Sequence, residues 1–216
     1  LDCISQVIND IEHAGFHRGA KLNRHHRFVD FNQGIDARLV TNDIASLLSR
    51  ICLSPVRLAF DHLSVENAYR TAVHNLSSVG FKQFTTYVMF NFNDSPGSFY
   101  DRLRINLELS EKYKIKITGF PMRFVPIDDI QRHYISPEWK WRTLRGIQCI
   151  LNATHGMVSP NISFFEQAFG KSTQDFLEIT SMPDHYIIYR NKFKNEAEQW
   201  QMEFRRLSEG EKDEFL

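Results

Sequence analysis

The sequence lacks most of the features that assign a chain to a class of protein at first sight. Its 216 residues contain three cysteines, Cys3, Cys52 and Cys149, which lie too far apart for a disulfide framework or a paired set of zinc ligands. No apolar run reaches the length of about 18 residues that a membrane-spanning helix needs, and no signal peptide opens the chain. We therefore expect a cytoplasmic protein that makes no contact with a membrane.

An excess of charge of one sign is also missing. The 26 lysines and arginines balance the 26 aspartates and glutamates. No overall field therefore attracts nucleic acid, which we regard as an unfavoured partner.

Sequence motifs for self-sufficient catalysis are absent too. The chain has no nucleophile elbow, no phosphate-binding loop and no zinc signature. His13, His17, His25 and His26 cluster near the start, but no carboxylate or cysteine joins them at ligand spacing, so a solvated loop is favoured over a metal site. The catalytic residues stay unknown, no metal ligands are predicted, and any chemistry requires a cofactor.

A repeated pattern is what the sequence does have. Apolar runs typical of strands occupy residues 28–31, 56–60, 84–90 and 115–118 at intervals of about 28 residues, each followed by polar residues and then by a helical pattern. This period predicts an α/β fold in which parallel strands form either an open sheet or a barrel. Residues 136–216 read as a mostly helical C-terminal extension, in which residues 185–189 fit either a short strand or a helix end. The 18 phenylalanines indicate an aromatic-rich core.

Polar side chains follow each predicted strand, and the carboxyl ends of parallel strands are where such folds bind ligands. If the strands are neighbours, these residues converge on one mouth that suits a ligand with carboxylate, amine and hydroxyl groups. Arg38 and Arg123 are each able to hold a carboxylate in a two-pronged contact. The candidates are Asn32, Gln33, Asp36 and Arg38 after the first strand, Asp61 and His62 after the second, Asn91, Asn93 and Asp94 after the third, and Arg123 after the fourth.

Each candidate also has a purely structural interpretation. The segment from Asn32 to Gly34 has the composition of a turn, and Asp36 with Arg38 fits a surface ion pair. His62 fits either a general base or a side chain that is simply hydrogen-bonded. The asparagines and the aspartate after the third strand fit a turn or a helix cap.

Four stretches of the sequence, taken together, resemble radical S-adenosylmethionine iron–sulfur proteins. They are residues 30–38 (DFNQGIDAR), 57–61 (RLAFD), 87–94 (YVMFNFND) and 120–126 (FPMRFVP). The resemblance covers about residues 1–135 and implies a partial (β/α) barrel of parallel strands, similar to a TIM barrel, that holds S-adenosylmethionine beside a 4Fe-4S cluster. It implies cofactor contacts from Asn32, Gln33, Asp36, Arg38, Asp61, Asn91, Asn93 and Asp94, and substrate contacts from His62 and Arg123.

The sequence departs from that family at one decisive point. The family binds its cluster through three cysteines at C-x3-C-x2-C spacing, and this chain contains no such trio. Either a cluster-binding segment lies upstream of Leu1, or the protein is a relative without a cluster. We expect the former, because Leu1 and Asp2 resemble the end of a preceding barrel strand.

Three functional hypotheses follow. In the first, the chain is part of an enzyme that cleaves S-adenosylmethionine reductively at the cluster to start radical chemistry on an unknown substrate, with an electron donor such as flavodoxin or ferredoxin as partner. In the second, it is a barrel without a cluster that binds a ligand or a protein partner. In the third, Asp61, His62 and Arg123 carry out ordinary acid–base chemistry on a small molecule.

Overall fold

The computed structural model describes residues 3–215, with side chains as far as residue 212. Leu1 and Asp2, which the resemblance likens to a strand end, lie outside the described residues. The helices of the described chain are α1 (Ile4–His13), α2 (Asn42–Leu48), α3 (Glu66–Ser78), α4 (Pro96–Tyr113), α5 (Trp141–Ala153), α6 (Ile162–Phe169), α7 (Thr173–Ser181), α8 (Asp184–Ile188), α9 (Lys194–Arg206) and α10 (Glu209–Phe215). The strands are β1 (Lys21–Leu22), β2 (His25–His26), β3 (Val56–Ala59), β4 (Gln83–Phe90) and β5 (Lys116–Arg123).

The strands form two sheets. β1 and β2 pair as a short antiparallel hairpin, and β3, β4 and β5 form a parallel sheet with β4 in the middle. Val56 of β3 lies opposite Phe84 of β4, and the register continues to Ala59 opposite Tyr87. The apolar runs at residues 56–60 and 84–90 are therefore confirmed as strands. The run at residues 115–118 is also in a strand, but β5 continues to Arg123, so Arg123 ends this strand instead of following it.

The prediction of a partial (β/α) barrel is wrong. The described residues contain a three-stranded parallel sheet and a two-stranded antiparallel sheet, and neither closes into a barrel. The predicted first strand at residues 28–31 is reduced to a single bridge, Val29 to Leu53, and a tight turn between Phe31 and Gly34 ends the extended backbone before Ile35 bridges to Leu58. The chain after β5 continues into helices rather than further strands.

Local sequence explains the elements that do form. In β4, Phe84, Thr86, Val88 and Phe90 are buried while the residues between them are partly exposed, which is the period of a strand. Thr41 begins α2 as the sequence predicts, since its hydroxyl accepts a hydrogen bond from the Ile44 amide at 3.3 Å. The segment at residues 185–189, left open between strand and helix, lies largely in α8.

The chain divides into two compact units. Unit 1 comprises Leu1–Tyr87 and Ile105–Gly119, and unit 2 comprises Val88–Arg104 and Phe120–Leu216. The predicted boundary near residue 135 between a barrel and a helical extension stays a prediction.

The core of unit 1 consists of aliphatic and aromatic side chains from α1, α2, α3 and the sheet, among them the fully buried Ile8, Leu58 and Val73. Tyr69 stacks on Phe60 with a distance of 4.4 Å between ring centroids. The Tyr69 hydroxyl is hydrogen-bonded to Thr86 at 2.7 Å and to Asn106 at 2.6 Å. Burial raises the pKa of this hydroxyl, so it stays neutral inside the core.

The core of unit 2 is aromatic. Phe99 contacts Phe90, Trp139 and Phe176 at centroid distances of 5.4, 6.3 and 6.1 Å, within the range of favourable ring contacts. Tyr100, Phe165 and Phe169 extend the same cluster. These rings are buried, which confirms the aromatic-rich core expected from the phenylalanine content. Among the described residues, no helix combines the length and apolar character needed to cross a membrane.

Helices α5 and α7 pack closely in unit 2 through Gly146. A Cβ at this position would overlap the backbone of Thr180, whose carbonyl carbon would lie 2.7 Å away. Arg142 and Arg145 of α5 both pair with Asp184, the first residue of α8, at 2.7 and 2.8 Å. These contacts join α5 to α7 and to α8.

Candidate functional site

A cleft of about 410 Å³ lies in unit 1 at the carboxyl end of β3. This volume falls within the range of natural ligand sites, about 300–1,000 Å³. We call it the strand-end cleft, and it is lined by Gln33, Gly34, Ile35, Asp36, Ala37, Arg38, Ala59, Asp61, His62 and Val65. Five residues proposed from the sequence therefore lie around one space: Gln33, Asp36, Arg38, Asp61 and His62.

The wall formed by residues 33–38 starts with a tight turn at Gly34. The Gly34 amide donates to the Phe31 carbonyl at 2.8 Å. Gly34 has a φ of +83°, a backbone conformation that residues with a side chain rarely adopt. The Ile35 amide then donates to the Arg57 carbonyl at 2.8 Å, which places this wall alongside β3. The turn expected for the segment from Asn32 to Gly34 is thus present and shapes the cleft.

Asp36 and Arg38 form an ion pair at the cleft. The Asp36 carboxylate accepts hydrogen bonds from the Arg38 amide at 2.9 Å, from Nε at 3.0 Å and from Nη2 at 2.7 Å. The Arg38 guanidinium lowers the pKa of this carboxyl, so Asp36 is ionised at neutral pH. Asp36 and Arg38 therefore do form the ion pair that the structural interpretation of the sequence predicts. Both residues also line the cleft.

Three residues that sequence reasoning missed hold this wall in place. Arg57 of β3 donates to the two carboxylate oxygens of Asp30, at 2.6 Å from Nε and 2.7 Å from Nη2. Its Nη1 also donates to the Tyr87 hydroxyl at 3.3 Å, and that hydroxyl donates to the Asn32 carbonyl at 2.8 Å. The pair lowers the pKa of Asp30 and raises that of Arg57. The sequence feature that could have indicated this role is an arginine inside an otherwise apolar strand.

The opposite wall follows β3 directly. Asp61 is half-buried, and its carboxylate is a second negative group in the cleft. His62 is exposed, and its Nδ1 accepts a hydrogen bond from the Ser64 amide at 3.1 Å, which caps the short 3-10 turn Leu63–Val65. A ring whose Nδ1 accepts a backbone hydrogen bond carries its proton on Nε2 when neutral. The hydrogen-bonded interpretation of His62 therefore matches its geometry.

Asn32 differs from its neighbours. Its side chain is exposed and does not line the strand-end cleft, and its backbone carbonyl is the acceptor for Tyr87. Within the described structure, Asn32 contributes to the position of the cleft wall.

The remaining candidates belong to unit 2, and Asn91 is the most constrained of them. It is fully buried with a φ of +63°. Its Nδ2 donates to the carbonyls of Phe124 and Tyr134, both at 3.0 Å, and its Oδ1 accepts from the Ser136 amide at 2.9 Å. Both amide hydrogens are thus used within the protein, and Asn91 ties the end of β4 to the segment after β5.

Asp94 and Arg123 likewise make internal contacts, whereas Asn93 is exposed. Asp94 forms a buried ion pair with Arg102 of α4, and Arg102 Nε also donates to the Ser98 carbonyl at 3.2 Å. Arg123 Nη2 donates to the Tyr134 carbonyl at 2.9 Å, and burial together with the charge of Arg132 lowers its pKa.

The cysteines and histidines assemble no metal site among residues 3–212. No group of three or more metal-ligating side chains is present there. Cys3 is exposed before α1, Cys52 lies between α2 and β3, and Cys149 is buried in α5. Burial raises the pKa of the Cys149 thiol, the opposite of what a thiolate ligand requires.

The chemistry of the strand-end cleft is that of a polar binding site with a partly apolar wall. Asp36 and Asp61 offer acceptors to an amine or to hydroxyl groups, while Arg38 retains N–H donors beyond those it gives to Asp36. Ile35, Ala37, Ala59 and Val65 supply apolar surface. A ligand that combines a flat or aliphatic body with amine, carboxylate and hydroxyl groups would be complementary to this set.

Comparison of the chain with protein-family models, with curated proteins and with solved structures found no match. The fold and site described above therefore stand on their own geometry.

Proposed function

We propose that this chain is part of a radical S-adenosylmethionine enzyme and that the strand-end cleft binds S-adenosylmethionine. The observation that supports the proposal is the meeting of two resembling stretches, residues 30–38 and 57–61, around this one cleft. They contribute Gln33, Asp36, Arg38 and Asp61 to its walls.

The donor set of the cleft fits this ligand. S-Adenosylmethionine carries an ammonium group, a carboxylate, a positively charged sulfonium, a ribose diol and an adenine ring. The carboxylates of Asp36 and Asp61 suit the positive groups or the diol, and Arg38 suits the carboxylate. The apolar wall at Ile35 and Val65 suits the adenine ring.

The described residues do not fit the 4Fe-4S cluster. Its ligands are thiolates from a closely spaced trio, and the three cysteines here lie on separate elements, one of them buried with a raised pKa. No step of the reductive cleavage is therefore assigned to these residues. The proposal requires a C-x3-C-x2-C trio elsewhere in the full reading frame.

The proposal includes a cytoplasmic location and a small electron-transfer protein, a flavodoxin or a ferredoxin, as partner. Three free cysteines in the described chain are compatible with a reducing compartment. The substrate of the radical reaction is not part of the proposal.

The test is quantification of iron and sulfide in the protein expressed anaerobically from its full reading frame, together with electron paramagnetic resonance spectra of the reduced protein. We expect about four iron and four sulfide per chain and a signal that changes when S-adenosylmethionine is added. Protein that holds no iron after chemical reconstitution would refute the enzyme proposal.

A second candidate function is a ligand-binding module without a cluster. The observation that favours it is a formed polar cleft in a chain where residues 3–212 assemble no cluster of three or more metal-ligating side chains. Iron-free protein that still binds S-adenosylmethionine, with affinity that depends on Asp36 and Asp61, would support this second candidate over the first.

A further inference from the structure

Unit 2 contains a second cavity that none of the functional hypotheses uses. Its volume is about 390 Å³, and most of its wall is apolar. We call it the Arg190 cavity, and its lining includes Ile150, Ala153, Phe164, Ile187, Arg190 and Lys192. Arg190 and Lys192 are cationic, and none of the described aspartates or glutamates lines this cavity.

Arg190 has no carboxylate partner within the described residues, in contrast to three other arginines of unit 2. Arg142 and Arg145 pair with Asp184, and Arg205 pairs with Glu178. For Arg190, burial lowers the pKa to about 10, and no neighbouring charge raises it. A largely buried guanidinium without a counter-charge is costly, so a structural role alone leaves part of that cost unexplained.

Arg190 has a structural role, but this role does not use all of its hydrogen-bond donors. Arg190 donates from Nη1 to the Gln167 carbonyl and from Nη2 to the Ala168 carbonyl at 3.2 Å, so it caps the last turn of α6. These carbonyls provide partial negative charge only. A guanidinium has five N–H donors, and Arg190 Nε, which is buried, has no hydrogen-bond acceptor in the described structure.

No carboxylate from the neighbouring cavity supplies the missing charge. A neighbouring cavity of about 310 Å³ is lined by both Arg190 and Glu198. The carboxylate of Glu198, however, contacts Lys194 at 4.0 Å. The positive charge at Arg190 is therefore available to a ligand that enters the Arg190 cavity.

We propose that the Arg190 cavity binds a small carboxylic acid with an apolar body. The carboxylate would pair with the Arg190 guanidinium, and the apolar body would contact Ile150, Phe164 and Ile187. The apolar wall favours such an acid over inorganic phosphate, which has no surface to bury there. This site is separate from the strand-end cleft, and the proposal does not depend on S-adenosylmethionine binding.

The test uses hexanoate as the probe and hexan-1-ol as its uncharged counterpart, in ligand-observed nuclear magnetic resonance titrations of the protein expressed from its full reading frame. Two variants address the site. Arg190→Gln removes the charge, and Ala153→Phe fills the cavity from an exposed position on α5 while leaving Arg190 and its cap intact. Arg206→Gln, an exposed arginine of α9, is the matched control.

We expect saturable hexanoate binding by the parent protein and by Arg206→Gln, and binding at least about tenfold weaker in both Arg190→Gln and Ala153→Phe. Hexan-1-ol should not displace hexanoate. The proposal is overturned if the parent protein does not bind hexanoate saturably, if either site variant binds it as the parent does, or if hexan-1-ol binds equally well.

Discussion

The Arg57 guanidinium holds the Asp30 carboxylate through two hydrogen bonds, at 2.6 Å from Nε and 2.7 Å from Nη2. This contact joins β3 to the segment that leads into the strand-end cleft, and the Ile35 amide bond to the Arg57 carbonyl continues the connection. The Asp30–Arg57 pair is therefore the support of the cleft wall rather than part of its ligand-binding surface.

Asp30→Asn tests this support. We expect the amides of Gly34 and Ile35 to exchange with solvent at least several-fold faster, because the loop loses a charge-assisted contact. The free energy of unfolding should fall by no more than about 1 kcal/mol, since both side chains are partly exposed. Hydrogen exchange followed by nuclear magnetic resonance measures the first quantity, and urea unfolding measures the second.

Glu108→Gln is the matched control for that variant, because it removes an exposed partner of Arg70 elsewhere in unit 1. Exchange at Gly34 and Ile35 should not change in the control. Equal exchange in Asp30→Asn and in the parent protein would show that the pair does not hold the wall.

Asn91→Asp tests the buried amide of unit 2. The substitution replaces two N–H donors with an acceptor, which leaves the carbonyls of Phe124 and Tyr134 without a donor and buries a charge. We expect the free energy of unfolding to fall by about 2–4 kcal/mol, as measured by urea denaturation. Asn93→Asp, at the exposed neighbouring position, should change it by less than about 0.5 kcal/mol. Similar values for the two variants would rule out a structural role for Asn91.

Gly146→Ala tests the close approach of α5 and α7. The added Cβ would overlap the Thr180 backbone, which is not able to rotate away, so we expect a loss of at least about 2 kcal/mol in the free energy of unfolding. Gly210→Ala in α10 has open space around its Cβ, and it should leave stability unchanged or raise it by up to about 1 kcal/mol, because alanine favours a helix. Thermal unfolding of the two variants decides the question, and a harmless Gly146→Ala would contradict this packing.

Arg102→Met tests the buried ion pair with Asp94. Both side chains are almost fully buried, so removal of the guanidinium leaves a carboxylate in a poorly solvated place. We expect a loss of about 3–5 kcal/mol in the free energy of unfolding. Arg104→Met, which breaks a partly exposed contact with Glu166, should cost less than about 1 kcal/mol. A smaller loss in Arg102→Met than in Arg104→Met would contradict the account of this pair.

Local sequence patterns predicted three strands of the sheet correctly, but they did not show that the sheet stays open. The runs at residues 56–60, 84–90 and 115–118 are strands because each is a short apolar stretch between polar residues. The period of strand and helix fits an open sheet as well as a barrel, and the partial barrel that the family resemblance implies is wrong. The remaining predicted strand, residues 28–31, forms only one bridge before the turn at Gly34, and that turn is indicated by the composition of residues 32–34.

Part of the strand-end cleft was also predictable from local sequence patterns. Asp36, Arg38 and Asp61 follow apolar segments, and the bridge between Ile35 and Leu58 brings these segments side by side. The role of Arg57 was not predictable, because its partner Asp30 lies 27 positions earlier in the chain. The internal contacts of Asn91 also depend on distant backbone groups, and no local pattern indicates them.

The central claim is that the strand-end cleft binds S-adenosylmethionine, and isothermal titration calorimetry of the protein from its full reading frame tests it most directly. We predict saturable binding that is at least about tenfold weaker in Asp61→Asn and in Arg38→Gln, because each loses a charge-assisted contact with the ligand. Arg206→Gln, outside unit 1, should bind as the parent protein does. Absence of binding by the parent protein, or unchanged affinity in both cleft variants, would contradict the account.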